Sequence, residues 1–146
     1  MTKKILGIDY GNVITGLSIT DSKQIFAFGL NAIPTKKLMS FLSLVIDHEK
    51  IEKIVIGLPK TLKNKNAFIE KSIQKFIYEF HKKYPKILIE RLDERFTSKM
   101  AFDTMIELGF KKKKRKKKII LNEISAIIIL QSYLTYLKKK GENKKK

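Results

Sequence analysis

Residues 7–16, GIDYGNVITG, decide how the chain is to be folded. They complete a short apolar strand, KILGID at 4–9, that climbs to a single carboxylate, Asp9, and Gly11 two positions later marks a turn. Beyond the turn, NVITGLSITD at 12–21 alternates as a second strand, and QIFAFGLNAI at 24–33 supplies a third. Three strands joined by short turns predict an antiparallel meander. An acid that ends a buried strand has two explanations. It forms a turn with the following glycine, or it holds a divalent metal for phosphodiester chemistry.

Further along, the pattern changes period. TKKLMSFLSLVIDHEK at 35–50 spaces Leu38, Phe41, Leu42, Val45 and Ile46 as a helix, with Thr35 as its expected N-cap. KIVIGLP at 53–59 is a buried strand stopped by Gly57 and Pro59, reached by a helical crossover. Residues 66–84 place Phe68, Ile69, Ile73, Phe76, Ile77 and Phe80 on one helical face, and Pro85 ends that helix. ILIERLDERF at 87–96 begins with another strand. A helix is expected from Ser98 to Leu108, stopped by Gly109, and a last one from Ile119 to Lys139. The order β-β-β-α-β-α-β-α-α predicts an α/β fold with a mixed sheet. No internal repeat or Pro- or Ser-rich linker interrupts it, so one domain over residues 1–140 is expected, followed by a basic frayed tail at 141–146.

A chain of 146 residues with 43% hydrophobic content can bury a single core. It has no cysteine, which excludes disulfides and thiolate metal sites and suits a reducing cytosol. Asp9 arrives too early for a signal peptide. IILNEISAIIIL at 119–130 is too short and too polar to span a bilayer, so no membrane partner is expected. The net charge is +18, and much of it is local. KKKKRKKK at 111–118 carries eight cations, and KKKGENKKK at 138–146 carries six lysines against one glutamate. Such excess suits phosphate binding, and the 111–118 run is expected to be a mobile loop on backbone phosphates. Codon bias toward lysine is the alternative explanation.

The second acidic signal is Asp93-Glu94 in LDERFTS, at a strand giving way to a helix. Alternation sends the two to opposite faces, so one of them can join Asp9 at a shared site. A helix-terminal acid beside a local ion pair is the alternative for this pair.

GIDYGNVITG, KIVIGLPKTL, LDERFTS and NEISAIIILQSYL, in that order, resemble the YqgF/RuvX family over residues 4–137. The family is associated with maturing the 5′ end of pre-16S rRNA, and also with Holliday junction resolution. The resemblance implies an RNase H-like fold, a mixed five-stranded sheet flanked by helices, a cytoplasmic location and Mg²⁺ or Mn²⁺ as cofactor. It implies that Asp9 and Glu94 are metal-binding catalytic acids, expected to converge across the ends of two neighbouring strands. The family's third acid opens the last helix, where this chain has Asn122, expected on the first turn and facing the other two. An amide offers a carbonyl oxygen without charge. Glu123 is no substitute, since one helical step turns a side chain by about 100°. The family's first loop also offers a lysine and an arginine, where this chain has Gly11-Asn12-Val13-Ile14.

Arg95, Thr97 and Ser98, with Lys112, Lys113, Lys114 and Arg115, are the candidate nucleic-acid contacts. RNA (pre-16S rRNA) or branched DNA is the expected partner, with pre-ribosomal particles a further one, and the chain is expected as a monomer or weak dimer. His48 and His81 lack partners at metal-ligand spacing and belong to the surface. Tyr133 and Tyr136 suit base stacking or the core side of an amphipathic helix. The sequence is also compatible with two rival functions. One is a relative with decayed catalysis that still binds nucleic acid or ribosomes. The other is an actin/Hsp70-like ATPase, which GIDYG also resembles, although that superfamily needs two such domains to enclose a nucleotide.

Overall fold

The structure, a computed structural model, describes residues 3–58, 64–93 and 114–144. Its strands are β1 (Lys4–Asp9), β2 (Ile14–Thr20), β3 (Ala27–Pro34), β4 (Ile51–Leu58) and β5 (Leu88–Asp93). Its helices are α1 (Leu38–His48), α2 (Asn64–Lys83) and α3 (Lys114–Lys144). The sheet runs β3-β2-β1-β4-β5. β1, β2 and β3 are antiparallel, as the short turns require, while β4 pairs parallel with both β1 and β5. The expected meander, crossovers and mixed five-stranded sheet are all present. The helix expected at 98–108 lies outside the described residues.

Strand alternation divides the core into two layers. Leu6, Ile8, Leu17, Ile54 and Ile56 point to one side, where they pack on Leu38 and Leu42 of α1 and on Ile73, Phe76 and Phe80 of α2. Ile5 and Val55 point to the other side, against Ile129, Leu130 and Tyr133 of α3. The sheet is therefore sandwiched, with α3 packed against the face opposite α1 and α2. By length and composition Ile120–Gly141 would suffice to cross a membrane, with a mean hydropathy of 1.3 in its apolar window. Its stripe of Ser125, Ala126, Ile129, Leu130 and Tyr133 is buried.

Three local expectations are corrected. Thr35 does not cap α1: it opens a single 3-10 turn, Thr35–Lys37, and Lys37 precedes the α-helix without a side-chain cap. The Thr35 hydroxyl is used elsewhere, donating to Gly11 O at 2.6 Å, and it lies 2.8 Å from Thr15 Oγ1. Phe68 is 70% exposed and does not join the buried face of α2. Finally, α3 extends well past both expected ends. Residues 114–118 of the basic run are helical, and so are 141–144 of the expected frayed tail. Lysine and arginine are good helix formers, and a helix already fixed by core packing propagates into them at little cost.

The far side of the sheet carries one strong polar joint. Arg91 of β5 grips Glu70 of α2 through two bonds of 2.8 and 2.9 Å, and it also donates to Ile56 O and Gly57 O. The Arg91 hydrogen bonds hold the Glu70 carboxyl below its usual 4.5. A depressed carboxylate stabilises the fold above the unfolded pKa and loses that contribution as pH falls through the folded one. Arg91→Met should therefore cost about 2 kcal/mol at neutral pH, the scale of a charge-assisted pair. In urea titrations the gap between variant and parent should close below pH 4.5. A gap that stays constant into acid would show that the pair contributes only packing.

Candidate active site

Asp9 is the last residue of β1, half-buried, and shares the parity of Ile5 and Gly7. That parity puts it on the α3 side of the sheet. Its cross-strand partner on β2 is Gly16. The backbone of α3 lies directly on that glycine: a Cβ placed there would meet Asn122 O at 1.9 Å and Asn122 C at 2.3 Å. Asn122 and Asp9 thus flank one glycine from above and from the side. A second contact repeats the pattern one step down. Gly7 pairs with Ser18, a Cβ at Gly7 would lie 3.0 Å from Ala126 O, and the Ser18 hydroxyl donates to that carbonyl at 2.7 Å. Four helical residues rise about 6 Å and two strand residues about 6.6 Å, so the two contacts share one register. The helix cannot slide without breaking both.

Asn122 lies at i−4 from Ala126 and i−11 from Tyr133, the buried stripe of α3. It therefore shares the face of α3 that packs on the sheet, but it does not lie on the first turn. Lys114 opens α3, which places Asn122 in the third turn. Glu123 goes elsewhere. Its carboxylate lies over Gly29 of β3, 2.6 Å from where a Cβ would stand. The rotation by one helical step separates it from Asp9.

Of the 93–94 pair only Asp93 is among the described residues. β5 ends at Asp93, which has the parity of Arg91 and Ile89, the side of α2. β4 lies between β1 and β5, so the two acid-bearing strands are not neighbours. The parallel crossovers insert β4 there, and two strand spacings amount to about 9.6 Å. Glu94, Arg95, Thr97 and Ser98 lie outside the described residues, as do Lys112 and Lys113. Lys114 and Arg115 fall on the first turn of α3, which corrects the expected loop for that half of the run. Among the described residues no three His, Cys, Asp or Glu side chains group closely enough to hold a metal.

The loop after Asp9 is tied by hydroxyls. Thr35 supplies no side-chain cap to the helix that follows it. It bonds Gly11 O and Thr15 Oγ1, and its N–H donates to Val13 O at 2.8 Å. The Gly11-Asn12-Val13-Ile14 loop is thereby held without the family's two cations. This clasp carried no sequence signal, since Thr35 also suits a helix cap. Tyr133 is core and not a stacking platform: it is buried and accepts a bond from Lys53 Nζ at 2.9 Å. Burial pulls the Lys53 ammonium down, but the Tyr133 hydrogen bond and the Glu90 and Glu52 charges outweigh it and hold it above its usual value. Burial, joined by Glu90, raises the Tyr133 hydroxyl. Tyr136 is exposed, and His48 and His81 are surface residues as expected.

A mixed five-stranded sheet with an acid ending its central strand and a helix laid across that end defines an RNase H-like fold. Among solved structures it is similar to RuvC of T. thermophilus in complex with a Holliday junction substrate, with a TM-score of 0.57 over 92% of this chain and 96% of that one, at 12% identity. The profile of the family described as RuvX: Holliday junction resolvase matches residues 3–136, and the chain belongs to that family. It is 48% identical to a Flavobacterium psychrophilum protein over 90% of this chain and 96% of the relative. It is 46% identical to a protein of Christiangramia forsetii and 45% identical to one of Bacteroides fragilis, again over 90% of this chain. All three relatives bear the name "Putative pre-16S rRNA nuclease".

Proposed function

We propose that the protein is a metal-dependent nuclease that hydrolyses phosphodiester bonds in processing the 5′ end of pre-16S rRNA, in the cytoplasm. The observation that carries this reading is the meeting of Asp9 and Asn122 around Gly16, on one face of the sheet and from two elements remote in sequence. The names of the relatives support the substrate. The LDERFTS motif supports Glu94 as the third ligand. Asp9, Asn122 and Glu94 are hard oxygen donors, the chemistry that suits Mg²⁺ or Mn²⁺. A bound divalent ion supplies Lewis-acid stabilisation of charge on the phosphoryl oxygens and makes water more acidic. The chain's own task is to orient Asp9 at the strand end. Arg95, Thr97, Ser98, Lys112, Lys113, Lys114 and Arg115 contact backbone phosphates. These contacts position the substrate and carry affinity, not sequence. The test sets a pre-16S rRNA fragment beside a four-way DNA junction, with Mn²⁺ and with chelator. Metal-dependent trimming of the RNA is expected. Cleavage of the junction alone would transfer the activity to branched DNA, and cleavage of neither would end the nuclease reading.

Asn122 favours a second reading, a weakened enzyme of the same class. An amide where the family has an acid removes one negative charge from the ligand set. Asn122→Asp restores it at nearly constant size, and should tighten Mg²⁺ binding and raise cleavage by about tenfold or more. In the metal-free state the added carboxylate repels Asp9, so a small loss of stability is expected. Metal titration and a cleavage assay on both proteins decide it. If neither changes, the Asn122 side chain does not reach the ion.

A further inference from the structure

Far from Asp9, but on the same face of the sheet, the β2–β3 turn and the last turns of α3 enclose a groove of about 590 Å³. Lys23 and Ile25 line it from the turn, and Gln131, Leu134, Thr135 and Lys138 from the helix. The turn is built to hold its shape. Asp21 accepts backbone N–H groups from Lys23, Ile25 and Phe26 at 3.2, 2.8 and 2.7 Å. These bonds hold its carboxyl below the usual range. Gln24 takes a left-handed φ of 58°, which its side chain secures by donating to Lys3 O at 2.8 Å. Lys23 is thereby presented at one rim of the groove and Lys138 at the other. Neither forms an ion pair among the described residues, and no carboxylate lines the groove.

We infer that this groove is a second nucleic-acid subsite, which holds single-stranded RNA at a distance from the cleaved bond. The inference rests on the nuclease reading for its meaning, but not for its test. Two unpaired cations suit two successive phosphates. Leu134 and Ile25 offer an apolar floor for a base, and the Gln131 amide and Thr135 hydroxyl can bond base edges or the 2′-hydroxyl. α3 also joins the two places. Lys138 lies sixteen residues beyond Asn122, about 24 Å along the helix, so a strand entering at Asp9 can follow α3 to the groove. The net charge of +18 draws a polyanion to this surface in any case, and the groove gives it a defined seat.

Binding of a uridine-rich single-stranded ribooligomer long enough to span both places tests this, measured over a salt series in chelator so that no cleavage intervenes. Log affinity falls with log salt by about 0.7 per neutralised phosphate on a single strand. Replacing Lys23 and Lys138 together by Ser should therefore flatten the slope by about 1.4, and K23Q or K138Q alone by about 0.7. Replacing Lys71 of α2 and Lys86 of the loop before β5, two exposed lysines that do not line the groove, serves as the control and should flatten it clearly less. An unchanged slope, or an equal change in the control, overturns the subsite. Because the assay reads binding alone, a catalytically inert protein can still satisfy it. A protein that cleaves can fail it, so the two readings fall separately.

Discussion

Asp9→Ala should abolish metal-dependent cleavage while leaving RNA binding intact. The residue closes β1 on the α3 side, beside the glycine on which Asn122 rests. Neither neighbouring acid stands ready to replace it, since Glu123 is drawn to Gly29 and Asp93 has the parity of the α2 side. Loss of an outer-shell partner of a metal costs 10- to 100-fold, so loss of a direct carboxylate should cost at least about 100-fold. Asp9→Asn should fall nearly as far, because the carbonyl oxygen remains and the charge does not. Affinity for RNA should hold, because it depends on the lysine-rich segments. A rise of a few tenths of a log unit would fit the removal of a like charge facing phosphate. Cleavage that survives Asp9→Ala would locate the chemistry elsewhere in the chain, or in a contaminant.

Gly16→Ala should damage fold and site together. The added methyl would fall 1.9 Å from Asn122 O and 2.9 Å from Glu123 N, and both are main chain, so no rotamer change relieves the clash. The helix must lift from the sheet by more than an ångström. Lifting it opens gaps at Gly7 and Ala126 and along Ile129, Leu130 and Tyr133, which are all buried. Overpacking of a close-packed core costs about 1–3 kcal/mol, and the rigid backbone here puts the expected loss at about 3 kcal/mol or above. Urea denaturation measures the loss. In the surviving folded fraction Asn122 stands farther from Asp9, so metal affinity should fall too. Gly141→Ala is the matching control, with nothing within 4 Å of the new methyl, and should be neutral or slightly stabilising. Equal behaviour of the two variants would show that α3 is not fixed at Gly16.

Much of this protein was legible without coordinates because its signals are periodic and local. β1 begins and ends where KILGID does, and the meander follows from turns too short for crossovers. The apolar faces of α1 and α2 were visible in their spacing, except at Phe68, which fits the period but stays exposed. The motifs also carried the family. Helix ends were less legible. Nothing local stops α3 at Ile119, because lysine favours a helix once packing has nucleated it. The Thr35 clasp was hidden for a similar reason, since one hydroxyl suits both a cap and a cross-loop bond.

The sequence alone determined the order of strands and helices, the acid at the end of β1, the uncharged amide at Asn122 and the family. Each of these lies in neighbouring residues or in a motif. Only the tertiary structure decided that β4 separates β1 from β5, that Gly16 is the seat of α3, and that Lys23 and Lys138 border one groove. Gly16 and Asn122 are remote in the chain, and a glycine in a strand looks alike whether it faces solvent or a helix backbone. Close approach is a property of two elements at once, set by how the sheet twists and where the helix finds room, and it leaves no mark in either segment read by itself.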